Sequence, residues 1–297
     1  MDINFELYKI FYHAAECGSF SLAATRLHVT QSAVSQAIKG LETKLGSQLF
    51  FRKTREIKLT PEGELLFKHV EQAFNFIRTA ESKILESQNL ETGEIRIGVS
   101  DTICKYYLIH YIEKFISNYP KVKIQVVNRT SFQIQNILKD GMIDFGIVTL
   151  PVHDKKLIID NFITVEDIFV ASQKFCELKD KTLTLNELIK YPLLMLDKSS
   201  STRRNVDSYL SKIGINLLPE IELESIDLLI EFARIGLGIA HVLKESASGH
   251  IQSGELFQVR LSDKITLRKL GIITMKDVPL AKASREFIRF LKISRPM

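Results

Sequence analysis

Three cysteines are all that 297 residues contain, and Cys17, Cys104 and Cys176 are too far apart for any CxxC or metal-ligand spacing. A disulfide framework and a zinc site are therefore not expected. The seven histidines (His13, His28, His69, His110, His153, His241 and His250) are equally scattered, and H-E-x-x-H is absent. There is no G-x-S-x-G elbow, no Walker loop and no G-x-G-x-x-G. Gly236-Leu237-Gly238 precedes an apolar strand pattern instead of following one, so it reads as a turn. These absences leave no catalytic residue, metal or cofactor to expect. No apolar run approaches the roughly 18 residues of a membrane span, and MDINFELYKIF lacks a secretory pattern. The expected location is the cytoplasm, with the thiols reduced.

What the chain does carry is concentrated in residues 19–60. Ser19 or Ser21 can cap a short helix that puts Ala23, Ala24 and Leu27 on one side. His28 and Val29 make a tight turn, and Thr30 caps a second helix with Ala33, Val34, Ala37, Ile38, Leu41 and Leu45 at 3–4 spacing. Small alanines at the crossing let the two helices approach steeply, as a helix-turn-helix requires. The other face of the second helix offers Gln31, Ser32, Ser35, Gln36 and Lys39, donors and acceptors suited to base edges and phosphates. The apolar Leu49, Phe50 and Phe51, then Arg52, Lys53, Arg55 and Lys58, then Leu59-Thr60-Pro61 read as a short two-stranded wing whose tip carries cations to a flanking phosphate backbone. Residues 30–58 hold six cations against two anions, a surface that favours a polyanion. A preceding helix over 4–16 places Phe5, Tyr8, Phe11, Tyr12 and Ala15 on one side, as core.

The basic surface stops at Pro61. Residues 61–92 hold three cations and six anions, and Pro61 is a good first-turn residue for one long helix to about Gln88. Leu66, Val70, Ala73, Ile77, Ala80 and Ile84 follow a heptad seam, widened by Phe67 and Phe74. Such a helix gains stability by pairing with a second copy.

The run AAECGSFSLAATRLHVTQSAVSQAIKGLETKLGSQLFFRKTREIKLTPEGELL resembles the DNA-binding domain of LysR-type transcriptional regulators. The matching features are SF-x-x-AA-x-x-L, Q-S-A-V-S opening the recognition helix, I-x-x-LE-x-x-LG, L-F-x-R and LT-x-x-G, in that order. Gln36 stands where many members carry Arg, which leaves the contacted bases open. The resemblance implies a sequence-specific regulator that binds a double-stranded DNA operator. It implies a dimer through the linker helix, assembled further into a tetramer, with RNA polymerase as another candidate partner. The DNA contacts expected are Thr30, Gln31, Ser32, Ser35, Gln36, Lys39, Arg52, Lys53 and Arg55.

Beyond a polar break at 89–93 the pattern alternates strands and helices. EIRIGVS, KVKIQVVN and IDFGIVTL are strands, separated by helices over 103–118 and 131–141. A second set comprises EDIFVAS, YPLLML, a helix from Thr202 to Ile213, EIELES, DLLIEFARI and GLGIAHV, before TLRKLGIITM and AKASREFIRFLK. This rhythm predicts mostly parallel sheets. The segments D-G-x-I-D-F-G-I-V and R-I-G-L-G-I-A extend the LysR resemblance. The family's architecture implies a pair of α/β subdomains like a periplasmic binding protein, with two chain crossings, near 161–165 and 262–267. The expected chain is thus an α+β multidomain protein. Its parts are a winged helix-turn-helix (1–60), a linker helix (61–92) and an effector-binding region (93–297). Subdomain I takes 93–163 and 266–297, and subdomain II takes 164–265.

Ligands in open α/β sheets sit off the carboxyl ends of strands, where helix N-termini point their amides. Hydroxyl residues collect there: Ser100-Asp101-Thr102, Thr130-Ser131, Thr149, and Ser199-Ser200-Ser201-Thr202-Arg203-Arg204. Each alone is an ordinary helix cap. Together they predict a site for a small anionic or zwitterionic effector, formed by Ser100, Asp101, Thr102, Thr130, Ser131, Thr149, Ser199, Ser200, Ser201, Thr202 and Arg203. Two other readings stay open, a ligand-blind architectural DNA binder and, because some LysR-type proteins sense redox state, a redox-responsive regulator.

Overall fold

The computed structural model describes residues 3–51, 57–86, 93–263 and 267–293. They form two compact units, Met1–Glu81 and Ser82–Met297.

In the first unit, helices α1 (Phe5–Cys17), α2 (Phe20–Leu27) and α3 (Gln31–Leu45) are each delimited by local chemistry. Asn4 accepts from the Glu6 N–H, Ser19 from the Leu22 N–H, and the Thr30 hydroxyl from the Ala33 N–H. Gly18, His28 and Gly46 end the three helices in the left-handed region. Phe11, Tyr12, Ala14, Ala23, Ala24, Val34, Ile38 and Leu41 form the core. Ala33, expected in the buried stripe, is exposed in the first turn of α3, so burial starts at Val34.

Strands Phe50–Phe51 and Lys58–Leu59 pair antiparallel as the wing. The buried Glu42 carboxylate accepts from the Leu49 N–H at 2.9 Å and the Phe50 N–H at 3.4 Å, fastening the wing to α3. At the return, the Thr60 N–H donates to the Leu49 carbonyl, and the Thr60 hydroxyl donates to the Gln48 carbonyl at 2.7 Å. Gly63 faces that same Leu49 carbonyl so closely that a Cβ would overlap it. The LE-x-x-LG and LT-x-x-G patterns are thus a steric and hydrogen-bonded clasp around the wing.

Helix α4 (Pro61–Glu86) divides its seam. Leu66 and Val70 pack into this unit's core, and Phe67 and Phe74 stack on Tyr12 at centroid distances of 5.8 and 5.0 Å. Phe67 and Phe74 therefore serve the unit's own core and do not widen a pairing seam. Ala73, Ile77, Ala80 and Ile84 are exposed, Ile84 to 67%.

The second unit holds two five-stranded sheets. The first runs Val122–Asn128, Gly93–Val99, Phe145–Thr149, Arg268–Met275, Leu157–Val165. The second runs Ile221–Leu223, Leu193–Leu196, Ile239–Leu243, Asp167–Ser172, Leu256–Gln258. Each is mixed, where mostly parallel sheets were expected: the first three strands are parallel and the last two add antiparallel neighbours. The cause is the double crossing. Arg268–Met275 and Asp167–Ser172 enter their sheets from the other subdomain, without a helical crossover to keep them parallel.

The first crossing falls between Val165 and Asp167, slightly later than the expected 163/164, because Val165 still pairs with Arg268. The expected return boundary at 265/266 lies outside the described residues. Register slips between Leu270 and Gly271, leaving Phe162 as a bulged residue that packs near Tyr111. The helix expected from 103 begins at Asp101 and passes through a π-helical turn, Cys104–Leu108, before Ile109–Asn118. Gly236, at φ +77°, makes the turn before Ile239–Leu243 that the Gly-Leu-Gly pattern suggested.

Candidate functional site

Helix α3 buries one face and leaves Gln31, Ser32, Gln36 and Lys39 exposed, with Ser35 half-buried among them. Thr30 is occupied as a cap, its hydroxyl 2.9 Å from that of Ser32. This is a solvent-facing set of uncharged hydrogen-bonding groups with one cation. Arg52, Lys53 and Arg55 lie outside the described residues. Tyr12, Phe67 and Phe74 are committed to one another, which supports core and not base stacking as the role of the aromatics.

In the second unit the strand ends meet around a cavity of about 420 Å³. Ser100, Asp101, Thr102, Thr130, Ser131, Thr149, Ser199, Ser200, Ser201 and Thr202 all line it. Their hydroxyls divide by what they already do. Ser131 accepts from the Thr149 N–H at 3.1 Å, Thr130 closes a capping box with Gln133, and Ser199 bonds Asp197. Ser100 and Ser200 precede helices without making a side-chain cap bond, so first-turn amides stay available beside them. Thr202 is 8% exposed and lines the cavity, and its hydroxyl has no hydrogen-bond partner among the described residues. A buried hydroxyl left open towards a cavity is a vacancy for an outside polar group.

Arg203 is the correction. It was expected beside the ligand, but the cavity lining does not include it and it is 2% exposed. Its Nε donates to Asp207, and its Nη1 donates to Glu222 at 2.8 Å and the Leu196 carbonyl at 3.1 Å. Burial opposes its charge, but the bonds to Glu222 and Asp207 outweigh that and hold its pKa above the ordinary value. A single step along the helix, about 100° of rotation, separates a cavity-lining Thr202 from an inward-facing Arg203, and sequence adjacency concealed it. Arg203 fixes helix Ser201–Lys212 to two strands, and so positions the serine loop.

Arg268 is a cavity residue that the sequence reading missed. It is bidentate to Asp167 at 2.8 Å, and its Nη1 lies 3.3 Å from the Thr149 hydroxyl. It joins the two subdomains where the chain crosses between them. A cation inside the apolar run TLRKLGIITM was the available signal. Asn128, Arg129, Gln133, Leu196, Asp197 and Glu224 also line the cavity and were not expected there. On the cavity's flank, the π-helical turn reaches the second subdomain: Lys105 and the Tyr106 hydroxyl each lie 2.8 Å from Asp227.

Of the cysteines, Cys104 is partly buried, and burial followed by the nearby Asp101 charge pushes its thiol pKa up. That keeps it the less reactive thiol form. Cys176 is exposed on a separate subdomain. No helix among the described residues is long and apolar enough to cross a membrane.

A helix-turn-helix with a wing, followed by two α/β subdomains around a polar cavity, defines a DNA-binding regulator with a small-molecule-binding domain. Family models match both parts: "Bacterial regulatory helix-turn-helix protein, lysR family" over residues 5–64, and "LysR substrate binding domain" over residues 88–294. The chain belongs to the LysR-type transcriptional regulators. It is 29% identical over 277 residues to a probable RuBisCO transcriptional regulator of Cyanidium caldarium, covering 91% of this chain and 87% of the relative. It is 28% identical over 289 residues to the HTH-type transcriptional regulator YofA of Bacillus velezensis, covering 96% of each. Among solved structures, full-length CbnR in complex with its target DNA has a TM-score of 0.73 at 18% identity, covering 99% of this chain and 100% of that one. Members of this family are transcriptional regulators and not enzymes.

Proposed function

We propose that this LysR-type regulator is a cytoplasmic protein whose grip on a double-stranded operator is adjusted by a small metabolite in the 420 Å³ cavity. The observation that carries the effector half is the convergence of four separate strand ends on one cavity, with the Thr202 hydroxyl open to it. Gln31, Ser32, Ser35 and Gln36 are the base-reading residues of this proposal. Lys39, with Arg52, Lys53 and Arg55 of the wing, supplies phosphate contacts. The exposed second half of the α4 seam, Ala73, Ile77, Ala80 and Ile84, pairs two copies, and pairing sets half-sites about 10 base pairs or a multiple apart. Tetramer formation and contact with RNA polymerase follow the family pattern.

The cavity lies between the subdomains, so a ligand that bridges them favours one relative orientation. That preference is worth about 1–3 kcal/mol in coupling to DNA. The test is a footprint of the full chain on its own promoter region, with and without a metabolite panel. A footprint that changes in extent with a ligand supports the reading. A footprint insensitive to every ligand that the cavity binds would favour the architectural alternative. A footprint changed by peroxide and lost in Cys104→Ser would favour the redox one.

A further inference from the structure

We infer that the cavity's ligand is a zwitterion of the amino-acid class, its ammonium held between Asp197 and Glu224 and its carboxylate held by the helix N-termini around Ser100 and Thr202. This rests on the cavity being the effector site and goes further by assigning the two ends of the ligand.

The first observation is a pair of carboxylates without a cation. In the second sheet Leu196 lies in register with Leu223, so the next residues, Asp197 and Glu224, stand side by side at the ends of parallel strands. The Asp197 N–H donates to the Leu223 carbonyl at 2.9 Å, which fixes this adjacency. Both residues line the cavity. Among the described residues, Asp197 accepts only from its own loop, at the Ser199 N–H and hydroxyl, and Glu224 accepts from no donor. Neither has an ion-pair partner among the described residues. Two adjacent carboxylates facing one cavity attract a cation, and an ammonium presents donors to both.

The second observation is the opposite character of the remaining lining. Ser100 and Ser200 precede helices and leave their hydroxyls and first-turn amides unused, and the nine-tenths-buried Thr202 hydroxyl opens into the same cavity. Helix N-termini carry partial positive charge and free donors, the complement of a carboxylate. Arg129 adds a full charge on that side of the balance, its Nη1 touching only the Asn128 carbonyl.

Charge decides between ligand classes. The lining carries Asp101, Asp197 and Glu224 against Arg129 and Arg268, and Arg268 is neutralised by its bidentate bond to Asp167. A dianion would meet three carboxylates with one uncommitted guanidinium. A simple amine would leave the open amides and the Thr202 hydroxyl unmatched. A molecule bearing both charges satisfies both ends.

The experiment titrates the full chain by calorimetry with the common L-amino acids, each beside the carboxylic acid of the same skeleton lacking the amine. Asp197→Asn, Glu224→Gln and Thr202→Ala are run in parallel, and their melting curves establish folding. The expected result is at least one amino acid whose deaminated partner binds about tenfold or more weaker, a charge-assisted contact's worth. Asp197→Asn and Glu224→Gln should each weaken the amino acid by a similar factor and leave the deaminated acid unchanged or tighter, while Thr202→Ala weakens both. Equal binding of the two acids, or indifference of the amino acid to both carboxylate substitutions, overturns the ammonium assignment. If Thr202→Ala still weakens binding in that case, the cavity remains the effector site. If Thr202→Ala and Ser100→Ala both leave binding intact, the cavity reading falls as well. Binding by no amino acid in the panel overturns the assignment.

Discussion

The proposed DNA-reading face and the proposed ligand cavity use the same device, a helix N-terminus with hydroxyl and amide groups, one on an exposed helix face and the other around a cavity. On α3 the polar side chains lie close together in sequence, and Gln31, Ser32, Gln36 and Lys39 are exposed to solvent. Around the proposed cavity, burial has forced two arginines into ion pairs, one in the lining and one behind it. Arg203 is held by Asp207 and Glu222, and Arg268 by Asp167. What is left without an ion pair in the lining, including Asp197, Glu224 and Arg129, together with the Thr202 hydroxyl, is informative for that reason. On an exposed face function is read from what is present, and in a cavity from what is unpaired.

The largest test of that contrast is Arg268→Ala. It leaves Asp167, itself 4% exposed, as a buried carboxylate without its partner. The expected cost is about 3–5 kcal/mol of the second unit's stability, since removing half of a buried pair costs far more than the pair contributes. Urea melts of that unit measure it, and a loss under 1 kcal/mol would mean water reaches Asp167. The first unit's counterpart is Gly63→Ala, where the new Cβ meets the Leu49 carbonyl. Backbone cannot step aside cheaply, so about 1–3 kcal/mol is expected, with the wing displaced. A thermal melt of the DNA-binding unit, together with lost DNA retardation, checks it.

Next in size is a pH effect confined to the second unit. His241 is buried against Phe169, its Nε2 lacks a partner among the described residues, and burial lowers its pKa from an ordinary 6.5 against the opposing Asp167 charge. The folded state therefore binds the proton less readily than the unfolded chain. This contribution to stability is complete above about pH 6.5 and declines as pH falls towards the folded-state pKa. The slope reaches at most about 1.4 kcal/mol per pH unit. His241→Phe should flatten the stability profile between pH 6.5 and 5, relative to the parent chain. An unchanged slope would mean that the imidazole finds a proton-accepting partner on opening.

These contrasts also explain what was readable in advance. The first unit was legible because its helices, caps, turn and wing are local and consecutive: Ser19, Thr30, Gly46 and Gly63 sit next to what they do. Its main surprise, Phe67 and Phe74 stacking on Tyr12, required knowing that α4 folds back on α1. In the second unit the hydroxyls marked strand ends correctly as positions, because caps and strand ends coincide. The long strand Leu157–Val165 was missed since Asp160-Asn161 interrupts its apolar pattern at the bulge. Helix Lys244–Gln252 was missed since KESASGHIQ has little periodicity, with only Ser246 and Ala247 buried. Asp197 and Glu224 could not be paired from sequence, because their adjacency depends on sheet order and on a register between strands far apart in the chain.

The smallest expected effect separates the two kinds of contact on the exposed face itself. Lys39, exposed and in no ion pair among the described residues, should act on DNA as a point charge. Lys39→Ala should weaken all DNA sequences alike and reduce the slope of log affinity against log salt by about 0.9, one phosphate's worth of released counterion. Gln36→Ala should leave that slope unchanged and instead reduce discrimination at one base pair by about 1–3 kcal/mol. Running both variants over a salt series, on a specific and a scrambled duplex, gives two independent readouts. If Gln36→Ala changes the slope and not the discrimination, then Gln36 serves the backbone, and base reading on this helix falls to Gln31, Ser32 and Ser35.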